Sequence, residues 1–241
     1  MLVMEKSFKS VAIMQPYFLP YIGYFQLMNT VDEFVIYDNI QFSKRGWIHR
    51  NRILQNGQPS YVSLPLKKDS DFLDINERFL SDSFEKDKEK LLSKIKGTYK
   101  KAPQFEKVFP IIEEIFNLNE TNLFKYIYNS LELLKDFLNI ETKLVRSSEI
   151  EINHNLKSQE KVIAISKALN AEHYINAIGG RELYNKEDFK QENIDLKFLK
   201  PELKVYQQFN NEFISGLSII DVLMFNSKEE VNEMLGNYQL V

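Results

Sequence analysis

The stretch VAIMQPYFLPYIGYFQLMNTVDEFVIYD, residues 11–38, decides the fold of this chain. Residues 11–15 and 33–37 are short apolar runs typical of buried strands, and residues 23–29 between them predict a short helix. Pro16 ends the first run, because proline cannot continue a β-ladder. Strand, helix and strand make a compact βαβ unit that starts a parallel sheet. The loop after the first strand then lies at the carboxyl edge of the sheet, where open α/β sheets place ligands.

The rest of the chain continues the alternation of strands and helices. A hairpin is predicted over 47–55 and 60–66, with a turn at Asn56-Gly57 and a loop lengthened by Gln58-Pro59. The remaining patterns predict helices over 84–99, 103–116, 123–138, 158–169 and 227–235, strands over 143–146, 174–177 and 195–199, and an edge strand over 204–209. We therefore expect a single α/β domain over 1–241. Its Rossmann-like, mostly parallel sheet carries flanking helices, and 83–140 forms an inserted helical block or lobe.

Composition excludes several classes of site. The 241 residues are 44% hydrophobic and include no cysteine, which excludes a disulfide framework, a thiolate metal site and a cysteine nucleophile. Three scattered histidines without metal-ligand spacing predict no metal site. The net charge of −3 gives no nucleic-acid footprint. No run approaches the ~18–20 apolar residues of a membrane span, and the N-terminal apolar stretch is too short for a signal peptide, so we expect a cytoplasmic protein.

The loop after the first strand is the first candidate site. Gln15 is polar at a strand end, Tyr17 lies between two prolines, and Gly23 and Tyr24 open the following helix, whose free N–H groups suit a phosphate or carboxylate. The arrangement resembles the strand–loop–helix of nucleotidylyltransferases, with Tyr21-Ile22-Gly23-Tyr24 in place of their His-x-Gly-His. Because both histidines are missing, their phosphate chemistry does not carry over. The alternative is that these aromatics pack under the sheet edge.

Residues 41–54 form the second candidate site, with four basic residues and no acid. If 47–54 is a strand, alternation places His49 on the face of Trp47, and Arg50 with Arg52 on the other. Paired guanidinium groups suit a diphosphate or carboxylate, and a tryptophan stacks on a base or sugar ring. His49 is the candidate general base, since histidine titrates nearest pH 7. The alternative is a solvated basic hairpin. The candidate binding residues here are Lys44, Arg45, Trp47, Arg50, Asn51 and Arg52.

Two further features come later in the chain. Gly179-Gly180 follows a predicted strand and permits close approach of the backbone to an anion. Asp221 stands among apolar residues, either as a buried hydrogen-bond anchor or as a site carboxylate with a raised pKa.

Four segments, taken in order, resemble the WbqC-like family: QPYFLPYIGYFQLM, VIYDNIQFSKRGWIHRNRI, YINAIGGRELY and LSIIDVLMFN. The resemblance spans nearly the whole chain. It implies an enzyme from gene clusters for O-antigen and other surface polysaccharides. Members are similar to proteins described as transferases that place an aminoacyl or acyl group on an amino sugar, so an activated acyl or aminoacyl donor is also implied.

Residues and resemblance together predict a transferase acting on a nucleotide-activated amino sugar. The arginines would bind its diphosphate, Trp47 and the tyrosines its rings, and Gln15, Asn51 and Asp38 its hydroxyls, with His49 or Asp38 as base for the attacking amine. One alternative is a non-catalytic nucleotide-sugar-binding or scaffold protein of the same pathway. Another is a degenerate nucleotidylyltransferase-like enzyme. A homodimer or a partner enzyme of the pathway is also compatible with the sequence.

Overall fold

The computed structural model describes residues 8–241. Residues 1–7, which begin the segment considered above for a signal peptide, lie outside the described residues. The strands are β1 (Ser10–Met14), β2 (Glu33–Ile36), β3 (Arg50–Gln55), β4 (Gln58–Ser63), β5 (Lys143–Arg146), β6 (His173–Ala177), β7 (Asp195–Pro201) and β8 (Tyr238–Leu240). The α-helices are α1 (Ile22–Asn29), α2 (Phe84–Tyr99), α3 (Phe105–Phe116), α4 (Leu123–Phe137), α5 (Ser158–Ala168), α6 (Lys186–Gln191), α7 (Ile219–Phe225) and α8 (Lys228–Leu235).

Six strands form one sheet in the order β5-β2-β1-β6-β7-β8. All neighbouring pairs are parallel except β7 and β8, which are antiparallel at the edge. This is the Rossmann strand order, so the expected α/β, mostly parallel fold is confirmed. The order reverses between β1 and β6, and the loops that follow these two strands leave in opposite directions. A crevice at the carboxyl edge of β1 is therefore the expected place for a ligand.

Successive side chains of each strand point to opposite faces of the sheet. Ala12, Phe34 and Ile36 belong to a large apolar core shared with α1, α2, α3, α4, α7 and α8. Val11 and Val35 point the other way, into a smaller core covered by α5 and α6. Burial on both faces explains why these strands read as continuous apolar runs.

The chain that crosses from β2 to β5 contains the β3–β4 hairpin and then α2, α3 and α4. The hairpin is a separate two-stranded sheet. The apolar side chains of all three helices join the core on the α1 face of the main sheet. The insertion is thus packed onto this face of the sheet.

The hairpin differs from its prediction in two ways. β3 begins at Arg50, because the last partner in β4 is Ser63, directly opposite Arg50. The prediction that 47–49 belong to the strand is therefore wrong. Asn56 and Gly57 have φ values of 52° and 72° and form a two-residue turn. The residues Gln58-Pro59 belong to β4 rather than to a lengthened loop.

The predicted edge strand over 204–209 is also wrong. β8, at the C-terminus, pairs with β7 and occupies that edge of the sheet. Residues 204–209 instead form an irregular segment whose Gln208 side chain binds the backbone of Ile214 and the carboxylate of Asp221. Within residues 8–241, no helix is long and apolar enough to cross a bilayer.

Candidate functional site

A cavity of about 210 Å³ opens beside the loop that follows β1. That loop begins at the carboxyl end of β1, next to the reversal of strand order. The cavity brings together residues from three distant segments of the chain: Tyr17, Tyr21, Trp47, Asn51 and Gly216. Three aromatic rings and one amide therefore form a pocket suited to a flat or ring-shaped ligand.

Backbone hydrogen bonds hold these three segments together. The N–H of Phe18 donates to the carbonyl of Ile48 at 3.0 Å, and the amide of Asn51 donates to the carbonyl of Phe18 at 3.3 Å. The N–H of Ser218 donates to the carbonyl of Arg52 at 2.8 Å. The cavity walls are therefore held by two main-chain hydrogen bonds and one from the Asn51 side chain.

Trp47 and Arg52 lie against each other, contrary to the prediction that they occupy opposite faces. The guanidinium carbon of Arg52 lies 5.3 Å from the Trp47 ring, and one of its nitrogens donates to the carbonyl of Gly216 at 3.3 Å. Tyr61, which pairs with Arg52 across the hairpin, stacks on Trp47 at 6.4 Å, and Arg50 lies 4.9 Å from the Tyr61 ring. Because Trp47 precedes the strand, strand alternation does not govern its direction.

The other two basic residues of this segment point elsewhere. Lys44 forms an ion pair with Asp71 at 2.6 Å, and both side chains are exposed. Arg45 is exposed, and its carbonyl accepts a hydrogen bond from Arg50 at 2.9 Å. Of the four basic residues between 41 and 54, only Arg52 therefore contacts residues that line the aromatic cavity.

The start of α1 is covered by an aromatic ring. A methyl group added at Gly23 would overlap the outer end of the Tyr21 side chain, its Cε2, Cζ and hydroxyl oxygen. The glycine thus makes room for Tyr21, one of the cavity-lining rings. Tyr24 is fully buried, and its hydroxyl donates to the carbonyl of Gln15 at 3.0 Å. Gly23 and Tyr24 therefore determine the shape of the loop after β1.

His49 opens onto a neighbouring cavity of about 340 Å³. This cavity has a basic lining that includes Lys44, Lys67, Lys68 and Arg78, with Asp69 as its acid. The His49 ring packs on Phe42 at 5.5 Å. Burial, together with the positive charges of Arg50 and Arg78, lowers the pKa of His49 to about 4. The imidazole is therefore neutral at pH 7.

Asp38 is a buried carboxylate with every lone pair engaged. It is 2% exposed and sits just after β2. One oxygen accepts from the hydroxyl of Ser147 and the N–H of Ser148, at 2.8 and 2.9 Å. The other accepts from the hydroxyl of Ser148 at 2.6 Å and the amide of Asn76 at 3.1 Å. Asp38 thereby ties β2 to the turn after β5 and to the insertion.

Next to Asp38 lies Lys161, which the sequence reasoning missed. Lys161 is 4% exposed, and its ammonium donates to the carbonyl of Asn39 at 3.3 Å and lies 5.0 Å from the Tyr37 ring. Burial lowers the pKa of Lys161, an effect that the nearby Asp74 and Asp38 oppose. In the sequence, only the paired polar residues Asp38-Asn39 after a strand could have signalled this cluster.

The remaining predicted residues lie apart from the aromatic cavity. Gly179 and Gly180 belong to a 3₁₀ turn after β6, where Gly180 makes room for the side chain of Asn176. Asp221 is fully buried and accepts hydrogen bonds from Tyr99, Tyr206 and Gln208. Burial raises its pKa. Across residues 8–241, no three acidic or histidine side chains come close enough to hold a metal ion.

Comparison with known proteins gives a match to one protein-family model over most of the chain. The model of the WbqC-like protein family matches residues 15–233, which include every cavity-lining residue named above. This chain belongs to the WbqC-like family. The WbqC-like chain is also 27% identical over 229 residues to the uncharacterized protein Rv1507c of Mycobacterium tuberculosis, a match covering 94% of this chain and 97% of the relative. No solved structure matches this WbqC-like protein.

Proposed function

We propose that this protein is a transferase that moves an aminoacyl or acyl group from an activated donor to the amine of a nucleotide-activated sugar, in the synthesis of a surface polysaccharide. The observation that carries the proposal is the aromatic cavity with Arg52 against Trp47, beside the carboxyl end of β1. Open α/β sheets bind their ligands at this place.

The chemistry of a nucleotide sugar matches the groups in and around the cavity. Trp47 is 37% exposed and offers a flat surface for a base or sugar ring. The guanidinium of Arg52 supplies a planar pair of donors for the diphosphate. The amide of Asn51 and the hydroxyls of Tyr17 and Tyr21 suit the ring hydroxyls.

The second substrate fits the basic cavity around His49. Activated acyl groups leave with an anionic group such as a phosphate, and the lysines and Arg78 of that cavity complement it. In this proposal the amine nitrogen attacks the acyl carbon, the new C–N bond forms, and the bond to the leaving group breaks. The anionic leaving group offsets the positive charges of Arg50 and Arg78 that help to lower the pKa of His49, and the neutral imidazole then accepts the proton that the amine loses. Asp38, whose four hydrogen bonds occupy both oxygens, acts as an anchor for the site.

Binding can be measured through Trp47, because it is the only tryptophan in the chain. We expect nucleotide-activated amino sugars to change its fluorescence and, at 100 times Kd, to stabilise the protein by about 2.7 kcal/mol. Arg52→Gln should weaken binding about 10–100-fold, the value of a charge-assisted hydrogen bond of about 1.5–3 kcal/mol. Lys190→Gln, on α6 across the sheet, removes the same charge and should leave binding unchanged.

Transfer is tested separately, by mass spectrometry of the sugar after incubation with aminoacyl adenylates or acyl thioesters. A mass increase that requires His49 supports the proposed reaction. Binding of the nucleotide sugar without any transfer would favour a non-catalytic binding protein. If no nucleotide sugar alters fluorescence or stability, the proposal is wrong.

A further inference from the structure

A second, larger cavity of about 680 Å³ lies at the far end of the hairpin from Trp47. It is bounded by the β3–β4 turn, the C-terminal half of α2 and residues 209–211. Its lining carries the ammonium groups of Lys94, Lys100 and Lys101 and the amides of Gln55, Asn56 and Asn211, and none of the described residues that line it is acidic. Such a lining favours a ligand that is anionic and rich in hydroxyl groups.

The buried Asp221 fixes the walls of this cavity. Its carboxylate accepts from Tyr99, the last residue of α2, at 2.7 Å, and from Gln208, next to the 209–211 wall, at 2.6 Å. The Tyr99 hydroxyl in turn accepts from the N–H of Leu54, next to the hairpin turn, at 3.0 Å. One carboxylate therefore holds all three walls in place. Phe209, in the third wall, has a φ of 52°, a backbone conformation that a bulky residue rarely adopts.

A chain of direct contacts joins this cavity to the aromatic one. Lys94 lines the larger cavity, and its ammonium donates to the carbonyl of Tyr61 at 2.6 Å. Tyr61 is 48% exposed and stacks on Trp47, which lines the smaller cavity. We name the surface formed by Trp47, Tyr61, Lys94, Lys100 and Lys101 the hairpin track. Its aromatic rings lie at one end and its ammonium groups at the other.

We propose that the hairpin track binds an anionic oligosaccharide, a saccharide chain bearing carboxylates or phosphates. Sugar rings would stack on Trp47 and Tyr61, the amides would bind ring hydroxyls, and Lys100 and Lys101 would bind the anionic groups. Neither lysine forms an ion pair with any described carboxylate, so both ammonium groups are available. The amides of Gln55, Asn56 and Asn211 suit the hydroxyl groups of a saccharide, whereas the track offers two exposed rings, Trp47 and Tyr61, for stacking successive nucleic-acid bases. The track shares Trp47 with the proposed nucleotide-sugar site and goes beyond it through Tyr61, Lys94, Lys100 and Lys101.

The test is titration with a hexasaccharide of alternating glucuronic acid and N-acetylglucosamine, followed by calorimetry and by amide NMR shifts of Gly57 and Gly97. We expect binding that weakens as salt is added. Lys100→Gln/Lys101→Gln should weaken it at least 10-fold. The matched control, Lys86→Gln/Lys90→Gln, removes two charges from the same helix outside the cavity and should not change it. Both variants should bind nucleotide sugars like the wild type, which separates this inference from the proposed function.

Each of the following results would overturn the inference. The first is equal binding of the neutral hexamer of N-acetylglucosamine, which lacks the carboxylates. The second is tighter binding of an oligothymidylate of similar length, which would identify the track as a nucleic-acid surface. The third is absence of binding, or unchanged binding of the acidic hexasaccharide by Lys100→Gln/Lys101→Gln.

Discussion

The hydroxyl of Tyr99 lies 2.7 Å from a carboxylate oxygen of Asp221, although the two residues are 122 positions apart. The same hydroxyl accepts the N–H of Leu54 at 3.0 Å, so one buried oxygen joins α2, α7 and the hairpin. Both residues are fully buried. A buried carboxylate is tolerated only where donors surround it, and here Tyr99, Tyr206 and Gln208 supply them.

Tyr99→Phe should therefore lower the free energy of unfolding by about 3 kcal/mol. It removes a charge-assisted hydrogen bond and leaves the N–H of Leu54 without its partner. Urea denaturation followed by far-UV circular dichroism measures the change. Tyr206→Phe is the matched control: it removes one donor to Asp221 and leaves no backbone group orphaned, and it should cost about 1.5 kcal/mol. Equal costs for the two variants would contradict the joint role of Tyr99.

Gly23→Ala should destabilise the loop after β1 through Tyr21. The new methyl group would overlap the outer end of the tyrosine side chain, which would have to leave its place in the cavity wall. We expect a loss of about 1–3 kcal/mol in the free energy of unfolding, as for overpacking in general. In a Tyr21→Ala background the same substitution should cost much less. A cost that is the same in both backgrounds would show that the ring is not the obstacle.

The pH dependence of stability should report on His49. Its pKa is about 4 in the folded protein and 6.5 in an unfolded chain. Between these values the unfolded state binds the extra proton, so the free energy of unfolding is highest above pH 6.5 and falls as the pH drops towards 4. His49→Gln should flatten this decline in urea denaturation series, and His154→Gln should retain it. A decline of wild-type size in His49→Gln would assign the dependence to other groups.

Lys161→Met should leave the free energy of unfolding within about 1 kcal/mol of the wild type, or raise it. The ammonium makes one hydrogen bond at 3.3 Å, and no described carboxylate oxygen lies within 4.0 Å of it, so methionine keeps the packing and removes a poorly compensated buried charge. Lys161→Ala, which also removes the stem, should cost about 2 kcal/mol. Thermal and urea unfolding of both variants measure the difference. An equal loss in both would show that attraction to Asp74 and Asp38 outweighs burial of the charge.

Local sequence patterns predicted the main sheet well, because its strands are buried on both faces. The runs around Val11 and Phe34 are apolar throughout, and the helix between them ends where its apolar residues end. The capping box at Ser227 and Glu230 is confirmed as the start of α8. In each case the information lies within a few residues of the element it specifies.

The site was less predictable, because it depends on contacts between distant segments. Alternation failed for Trp47, since the strand that pairs with β3 stops opposite Arg50. Nothing near Asp38 in sequence indicates that Ser147 and Ser148 will saturate its oxygens. Lys161 likewise contacts Asn39, in the segment after β2, more than a hundred residues earlier. The chemistry inferred from residue types stays a prediction, and only the tertiary structure shows which residues share a cavity.

The insertion between β2 and β5 has a consequence for the order of folding. The two strands are neighbours in the sheet, and Lys143 of β5 binds Glu33 of β2 across 110 positions. Closing so long a loop carries a large entropy cost, which contacts of high sequence separation recover only late. The β1–α1–β2 unit and the inserted helices have mostly local contacts and can form first. The pairings of β2 with β5 and of β1 with β6 both join segments more than a hundred positions apart, so refolding should be slower than for a helical protein of this length.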